Sequence, residues 1–394
     1  MTRLAATGTV LALSALALTA CTDNPGASQA AGASGTSGAT TPGTLTVTAT
    51  DSECRVSADQ APSGTLRFTV TNAGTKVTEF YLLGSDGLRI VAEVENIGPG
   101  LTRDLVAKVP AGSYSTACKP GMVGAGIRSA FTVTDSGADL GAQGADKELV
   151  AAADEQYAGY VKDQADQLLA GTRAFAAAFA RGDAATARAL YAPTRTHWER
   201  IETVAESFGD LDPRMDAREA DLEPGQRWTG WHVAEKDLWP PRTGHTPLTP
   251  ARRAQVAAQL VTDTETLHGR TRSLTFTADQ IANGAKGLLE EVATGKVTGE
   301  EEIWSRTDLW DFQANVDGAR VAWEGLRPLL KRKDPGLDAT LQLRFRALQA
   351  ELDKHKVGAG FRGYDQLTTP QVKALSDAVN ALSEPLSRLT AAVV

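Results

Sequence analysis

The sequence predicts a multi-domain protein in which an N-terminal β-sandwich precedes an all-α helical bundle. Residues 44–134 alternate between apolar and polar side chains and are rich in β-branched residues, as strands are. From residue 148 onwards, apolar residues recur at helical spacing, and Ala, Leu, Glu and Arg predominate. At about 150 residues per domain, a chain of 394 residues is long enough for two or three domains.

Composition and charge exclude several classes of protein. Hydrophobic residues make up 42% of the chain and charged residues 22%, so an ordinary globular core can form. The net charge of −8 argues against a nucleic-acid partner, because phosphate binding needs a basic surface. With only 3 Cys and 5 His, any metal site must use mainly oxygen ligands, and a zinc-finger array is excluded.

The first residues have the features of an export signal. Residues 1–20 combine Arg3 with an apolar run that is too short and too rich in alanine to span a membrane. Leu18-Thr19-Ala20-Cys21 resembles the bacterial lipobox, in which the cysteine is lipidated and becomes the mature N-terminus. An ordinary signal peptide followed by a chance cysteine is the alternative.

The segment after this cysteine is expected to be a flexible linker. Residues 21–43 are almost entirely Gly, Ala, Ser, Thr and Pro, and such a segment buries too little surface to offset its chain entropy. We therefore expect an exported protein that is either lipid-anchored at the outer face of the cell membrane or periplasmic.

The strands of the N-terminal domain are predicted from short alternating runs between turn signals such as Asn72-Ala73-Gly74 and Ser85-Asp86-Gly87. They are residues 44–49, 66–71, 79–83, 90–95, 101–109, 112–117 and 129–134. About seven strands at roughly ten-residue spacing are typical of a β-sandwich. Residues 135–147 are then an interdomain linker.

Two cysteines in this domain, Cys54 and Cys118, allow two interpretations. In an exported sandwich they most often form a disulfide. Alternatively, their thiolates and Glu79 form a metal site. No His occurs before His197, so this domain cannot supply the two imidazoles of a blue-copper centre.

The helical domain is predicted as a series of antiparallel helices. They are residues 148–181, 183–207, 230–238, 250–268, 271–295, 308–330, 337–356 and 369–391. Gly182 and the Asp334-Pro335-Gly336 turn mark breaks between them. Residues 148–394 exceed one simple four-helix bundle, which favours a double or extended bundle.

Two segments of this domain carry candidate metal ligands. Glu199 and Glu202 lie three residues apart, so that both carboxylates project from one face of a helix. His232 and Glu235 have the same spacing, which Glu and His ligands also use in the cores of helical bundles. The alternatives are a solvated acidic face for the first pair and a chance HxxE pattern for the second.

Two segments of the helical domain resemble a known protein family. They are HWERIETVAESFGDLDPRMDARE at residues 197–219 and WTGWHVAEKDLW at residues 228–239. These segments closely resemble the imelysin-like (M75) domain of EfeO-type iron-uptake lipoproteins. The resemblance covers about residues 148–394 and implies a double four-helix bundle with a metal site inside. The residues that match the metal-ligand positions of the family are Glu199, Glu202, Asp216 and His232, with Glu235 as an additional or supporting ligand.

The N-terminal domain also resembles the cupredoxin-like domain of full-length members of this family. The matching positions include Cys54, Glu79 and Cys118, and the run Glu95-Asn96-Ile97-Gly98-Pro99-Gly100. Some relatives carry Met two residues before the second Cys, where this chain has Thr116. This departure weakens the case for a metal site at Cys54, Glu79 and Cys118.

The resemblance implies a binding protein rather than an enzyme. Such a protein captures iron and passes it to a high-affinity iron permease in the membrane, in partnership with a secreted haem peroxidase of the dye-decolourising type. Three carboxylates and one imidazole form a hard site, which suits Fe³⁺, Fe²⁺ or Mn²⁺ and can accept Zn²⁺.

Two other functions are compatible with the same residues. The first is an HxxE metallopeptidase with Glu235 as general base, although peptidase zinc sites typically use two His ligands. The second is metal-bridged binding of an acidic polysaccharide.

An acidic run and one further histidine in the helical domain are interpreted separately from the metal ligands. Glu300-Glu301-Glu302 is interpreted as the exposed start of a helix, with a second acidic metal site as the alternative. His197 lies close enough in sequence to Glu199 to support the metal site without ligating it.

Overall fold

The structure is a computed structural model that describes residues 43–222 and 224–394. The expected signal peptide, the expected lipidation site at Cys21 and all but the last residue of the linker 21–43 lie outside the described residues. Among the described helices, none combines the length and apolar character that crossing a membrane requires.

The N-terminal part is a sandwich of two β-sheets, as the sequence predicts. Its strands are β1 (Thr44–Ala49), β2 (Cys54–Val56), β3 (Gln60–Pro62), β4 (Gly64–Asn72), β5 (Thr78–Leu83), β6 (Ile90–Ile97), β7 (Thr102–Val109), β8 (Gly112–Cys118) and β9 (Ile127–Thr134). The strand orders are β2-β1-β4-β7 and β3-β9-β8-β5-β6. The β1–β4 and β3–β9 pairs are parallel. The sequence does not predict β2 and β3, because 3 residues each are too few to show an alternating pattern.

The core of the sandwich is built by alternation along β4. Leu66, Phe68 and Val70 are fully buried, and the ring of Phe68 lies 5.2 Å from that of Phe80 and 5.8 Å from that of Phe131. These contacts join the inner faces of the two sheets.

The two cysteines of the sandwich form a disulfide. Cys54 lies in β2 and Cys118 ends β8, so the bond, with an S–S distance of 2.03 Å, ties one sheet to the other. Neither sulfur is then available as a thiolate ligand. The carboxylate of Glu79 instead accepts a hydrogen bond from Tyr81 at 2.5 Å and lies 3.6 Å from Lys119 Nζ. The alternative metal site would need two thiolates, and the structure has a disulfide there instead. The carboxylate of Glu79 is engaged with other residues.

The C-terminal part is helical except for one small hairpin. Its helices are α1 (Ala145–Arg181), α2 (Ala184–Glu199), α3 (Glu202–Glu206), α4 (Asp212–Met215), α5 (Trp231–Leu238), α6 (Pro250–Thr271), α7 (Ala278–Thr294), α8 (Asp308–Lys333), α9 (Pro335–Asp353), α10 (Thr369–Leu386) and α11 (Leu389–Val393). The hairpin comprises β10 (Lys356–Val357) and β11 (Gly360–Phe361).

The long helices form two groups that share α8. Helices α7, α8, α9 and α10 form a ring in which each packs against the next. Helix α1 packs against α2, α6 and α8, and α5 connects α2 with α6. The prediction of an all-α bundle larger than four helices is confirmed.

The predicted helix 183–207 is in fact two helices. Helix α2 ends at Glu199, and Ile201 leaves the helical region with φ −128° and ψ 19° before α3 begins. The break lies against α8, where a Cβ on Gly318 would come within 2.4 Å of the Arg200 carbonyl oxygen. Neither Arg200 nor Ile201 is a helix-breaking residue, so the sequence does not indicate the break between α2 and α3. The break instead coincides with this close contact between helices.

The sandwich packs directly against the helical part through α7. Arg103 of β7 forms an ion pair with Glu290 at 2.5 Å, and Asn283 donates a hydrogen bond to the carbonyl oxygen of Val106 at 2.9 Å. Helix α7 therefore contacts the sandwich along its length, and the turn after α7 begins at its C-terminal end.

Replacing both cysteines of the disulfide with alanine should destabilise the sandwich. The bond closes a loop with a sequence separation of 64, so its loss should cost about 4 kcal/mol of unfolding free energy in the chain-entropy description. Urea titration followed by circular dichroism measures the change. Reactive thiols at Cys54 and Cys118 in denatured, non-reduced protein would contradict the assignment.

Candidate metal centre

A cluster of buried acidic side chains lies where α2, α5, α8 and the turns between them meet. The structure brings together all five residues expected at the site, Glu199, Glu202, Asp216, His232 and Glu235, and each is at most 7% exposed. Three groups of side chains have ligand atoms within 4.8 Å of one another: Asp216, His232 and Glu301; His232, Glu235 and Glu302; and Glu199, Glu202 and Asp216.

A glycine allows His232 to lie next to Asp216. Gly230, which precedes α5, has φ 92°, and a Cβ there would lie 2.1 Å from the carbonyl oxygen of Met215. Only glycine permits this backbone conformation and this approach together. The following residue, Trp231, is fully buried and packs 5.0 Å from the ring of Phe175, which fixes the start of α5.

The HxxE pair is arranged so that one nitrogen remains available. His232 Nδ1 lies 3.0 Å from Glu235 Oε2, while Glu235 Oε1 accepts hydrogen bonds from the backbone N–H groups of Trp304 at 3.0 Å and Ser305 at 2.7 Å. His232 Nε2 is buried without a hydrogen-bond partner in the described part of the chain. It lies 3.5 Å from a carboxylate oxygen of Asp216 and 3.5 Å from one of Glu301. Glu235 therefore orients the imidazole, and Nε2 points between two carboxylates.

A fully buried arginine, Arg195, lies among the carboxylates. Its guanidinium group is 2.5 Å from Glu199 and 2.6 Å from Glu302, and it also forms an ion pair with Asp216. Longer ion-pair contacts reach Glu301 at 3.4 Å and Asp311 at 3.7 Å. One cation is thus shared by several acids.

A second buried cation, Lys296, serves Glu199 and Glu202. Its Nζ lies 2.9 and 3.0 Å from the two oxygens of Glu202 and 3.3 Å from Glu199 Oε2. Asn315 of α8 also donates to Glu202 at 2.8 Å and to the backbone carbonyl of Glu199 at 2.7 Å. These bonds hold the two glutamates together across the break between α2 and α3.

The pKa values of the buried acids are shifted in opposite directions, because burial raises them and nearby positive charges lower them. Burial, reinforced by Glu202, raises the pKa of Glu199 well above its ordinary value despite Lys296 and Arg195. Burial similarly raises the pKa of Glu302 and Asp311. For Glu301, burial is outweighed by the positive charge of Lys296, the nearby imidazole of His232 and Arg195, and its pKa lies well below the ordinary value. Even with His232 counted as a cation, the carboxylates outnumber the basic groups.

The interpretation of Glu300-Glu301-Glu302 as an exposed helix start is wrong. Glu301 is 7% exposed and Glu302 is fully buried, and α8 begins only at Asp308. Both acids belong to the cluster because the turn after α7 folds inwards.

His197 lies apart from the cluster. Its Nδ1 is 2.8 Å from Gln164 Oε1 of α1. It therefore supports packing between α1 and α2.

The residues that sequence reasoning missed are Arg195, Lys296, Glu301, Glu302 and the buried acids Asp308 and Asp311 of α8. Two of them had a local signal, since Asp308 and Asp311 repeat the three-residue spacing of Glu199 and Glu202. Arg195 lies four residues before Glu199, a common spacing for a surface ion pair, and it shows no sign of burial in the sequence.

Comparisons with known proteins identify the family of the chain. The Imelysin family profile, Peptidase_M75, matches residues 153–389. The chain is 38% identical over 347 residues to "Iron uptake system component EfeO" of Yersinia pestis, covering 87% of this chain and 89% of that protein. It is 37% identical over 346 residues to the protein of the same name from Escherichia coli (strain K12), with the same coverage. The chain therefore belongs to the imelysin family and, within it, to the EfeO-type proteins, as the sequence predicts.

Replacing Glu235 with Gln should lower the pKa of His232. Burial alone would lower that pKa, but the hydrogen bond to Glu235 and the nearby carboxylate of Glu301 outweigh burial and hold it well above its ordinary value. The imidazolium therefore stabilises the fold at low pH, and this contribution is lost as pH rises through the raised pKa. In Glu235→Gln the loss should occur at lower pH.

Titration of the imidazole signals by nuclear magnetic resonance measures this change. His197 is the internal control, because burial lowers its pKa to about 4 and it does not contact Glu235. An unchanged His232 titration would contradict the orienting role of Glu235.

Proposed function

We propose that this protein is the iron-binding component of an uptake system, and that it captures iron in the buried cluster and delivers it to a membrane permease. The observation that carries the proposal is the buried Nε2 of His232, which has no hydrogen-bond partner in the described part of the chain and points between the buried carboxylates of Asp216 and Glu301. The relatives that cover most of the chain bear the name of an iron uptake component, which supports iron as the cargo.

The donor atoms suit a hard cation. Asp216 belongs both to the group with His232 and Glu301 and to the group with Glu199 and Glu202, so it links the two sets of oxygens. Carboxylate oxygens with one imidazole favour Fe³⁺, Fe²⁺ or Mn²⁺ and accept Zn²⁺. We assign Glu199, Glu202, Asp216 and His232 as ligands and Glu235 as the residue that orients His232.

Charge explains how the site can both hold and release its ion. The buried carboxylates repel one another, and an incoming cation relieves that repulsion. Arg195 and Lys296 already neutralise part of the charge, so the ion competes with two built-in cations for Glu199. This competition keeps binding reversible, as delivery to a partner requires.

We infer the location and partners of the protein from its N-terminal segment and its family. Lipidation of Cys21 would place the protein at the outer face of the membrane, or in the periplasm, with residues 22–43 as a tether. The partners that the family resemblance implies are a high-affinity iron permease and a secreted haem peroxidase of the dye-decolourising type.

The two alternative functions fit the geometry less well. A peptidase would need Glu235 to accept a proton from water, yet both its oxygens are engaged, and the cluster contains one His. A metal bridge to an acidic polysaccharide would need an exposed ion, whereas this cluster is buried.

Replacing Glu199 and Glu202 together with Gln should weaken iron affinity by at least about 100-fold, and so abolish stoichiometric binding, because two carboxyl ligands are lost. Anaerobic titration with Fe²⁺ and aerobic titration with Fe³⁺ measure the effect, and circular dichroism checks the fold. The matched control is Glu300→Gln, which changes an exposed acid next to the cluster. Full iron binding by the double variant would remove the assignment.

The Zn²⁺-loaded protein should not hydrolyse casein. Cleavage that proceeds with time and disappears in Glu235→Gln would restore the peptidase alternative, since that result requires Glu235 to act as a base.

A further inference from the structure

A surface cleft lies on the outer wall of the metal centre. One side is formed by residues 305–307, which follow the buried acids Glu301 and Glu302. The other is formed by Phe361 at the end of the β10–β11 hairpin and by residues 362, 363, 365 and 366 after it. The aromatic side chains of Trp239, Trp310 and Phe361 complete it.

The two sides of the cleft are fixed to each other. The backbone N–H of Tyr364 donates to the carbonyl oxygen of Arg306 at 2.9 Å, and the Tyr364 hydroxyl donates to the carbonyl oxygen of Val297. Trp310 lies against the hairpin so closely that a Cβ on Gly360 would come within 2.1 Å of its ring. The cleft is therefore part of the packed fold.

Two arginines, Arg306 and Arg362, give the cleft its charge. Both are half-buried, and neither forms an ion pair with any carboxylate in the described residues. Arg362 Nε is buried without a hydrogen-bond partner there, and its Nη2 makes only a long contact, 3.5 Å, with the carbonyl oxygen of Lys354. Asp365 is an exposed carboxylate among the lining residues.

Arg306 also has an unusual backbone. Its φ is 63°, in the left-handed region that side chains with a Cβ rarely adopt. The chain thus places an unpaired guanidinium in the cleft at a cost in backbone strain.

One residue connects the cleft to the metal centre. Ser305 lines the cleft, its backbone N–H donates to Glu235 Oε1 at 2.7 Å, and its hydroxyl donates to Glu302 Oε2 at 2.8 Å. A group bound in the cleft is therefore one residue away from the carboxylate cluster.

The basic cleft and the acidic cluster carry opposite charges, which suits them to bind the two parts of an iron–chelator complex. Ferric ion hydrolyses in neutral water and stays soluble there only with oxygen-donor chelators, whose complexes are commonly anionic. An acidic cluster repels such a complex, whereas a guanidinium binds carboxylates with two parallel hydrogen bonds. The basic cleft can hold the chelator while its ion passes to the acids.

We propose that this cleft is an anion site for a small polycarboxylate chelator, which it binds through Arg306 and Arg362 beside the metal centre. The delivery of iron from that chelator depends on the function proposed above, but binding of the free chelator does not.

The probe is iron-free citrate, titrated into the full-length protein by calorimetry. Wild-type protein should bind citrate, and Arg306→Asn combined with Arg362→Gln should weaken binding at least 10-fold. Asn tolerates the left-handed backbone at position 306, so this variant removes charge with little strain. The control is Arg344→Gln with Arg346→Gln, which changes two exposed arginines of α9 outside the cleft and should bind citrate normally.

Absence of citrate binding by wild-type protein, or equal binding by the cleft variant, would overturn the proposal. Equal affinity for inorganic phosphate would overturn the assignment to polycarboxylates. Titration with Fe²⁺ in the absence of chelator separates this proposal from the preceding one: the cleft variant should bind the ion as wild type does, but should take iron from ferric citrate at least 10-fold more slowly.

Discussion

The structure depends on the burial of many carboxylates around few basic groups. Arg195 and Lys296 are both fully buried, and between them they contact most of the acids in the cluster. Such pairs are expensive to remove from water, and they contribute little to stability unless their remaining hydrogen-bonding groups are satisfied. Here Trp198 Nε1 donates to Asp216 at 2.8 Å, and Asn315 donates to Glu202. The packing of α2 and α8 therefore positions the residues of the cluster and also forms part of the hydrophobic core.

The backbone at the acidic cluster is irregular, and it provides close approaches and free N–H groups that a regular helix does not. The break between α2 and α3, the close approach at Gly230 and the turn that contains Glu301 and Glu302 all lie at the cluster. Free N–H groups of Trp304 and Ser305 bind Glu235 because that segment is not helical. The long helices provide a rigid frame, and the segments between them carry much of the chemistry.

Part of this arrangement could be predicted from the sequence. The spacing of Glu199 with Glu202 and of His232 with Glu235 singled out four side chains of the buried cluster, and family resemblance added Asp216. The two-sheet sandwich and the helical part followed from their different hydrophobic periods. These features are local, so a single sequence carries them.

The remainder depends on contacts between distant segments. Lys296 and Glu202 are separated by 94 residues, and no local pattern marks a lysine that will be buried between two glutamates. Glu301 and Glu302 were interpreted as solvent-exposed because acidic runs usually are, and only the inward turn after α7 reverses that expectation. The break at Ile201 likewise depends on the approach of Gly318.

Anomalous diffraction from iron-soaked crystals would locate a hard cation bound inside the acidic cluster. We expect an iron peak at bonding distance from His232 Nε2 and Asp216. Iron bound only at exposed carboxylates, with the cluster still closed around Arg195 and Lys296, would contradict this expectation.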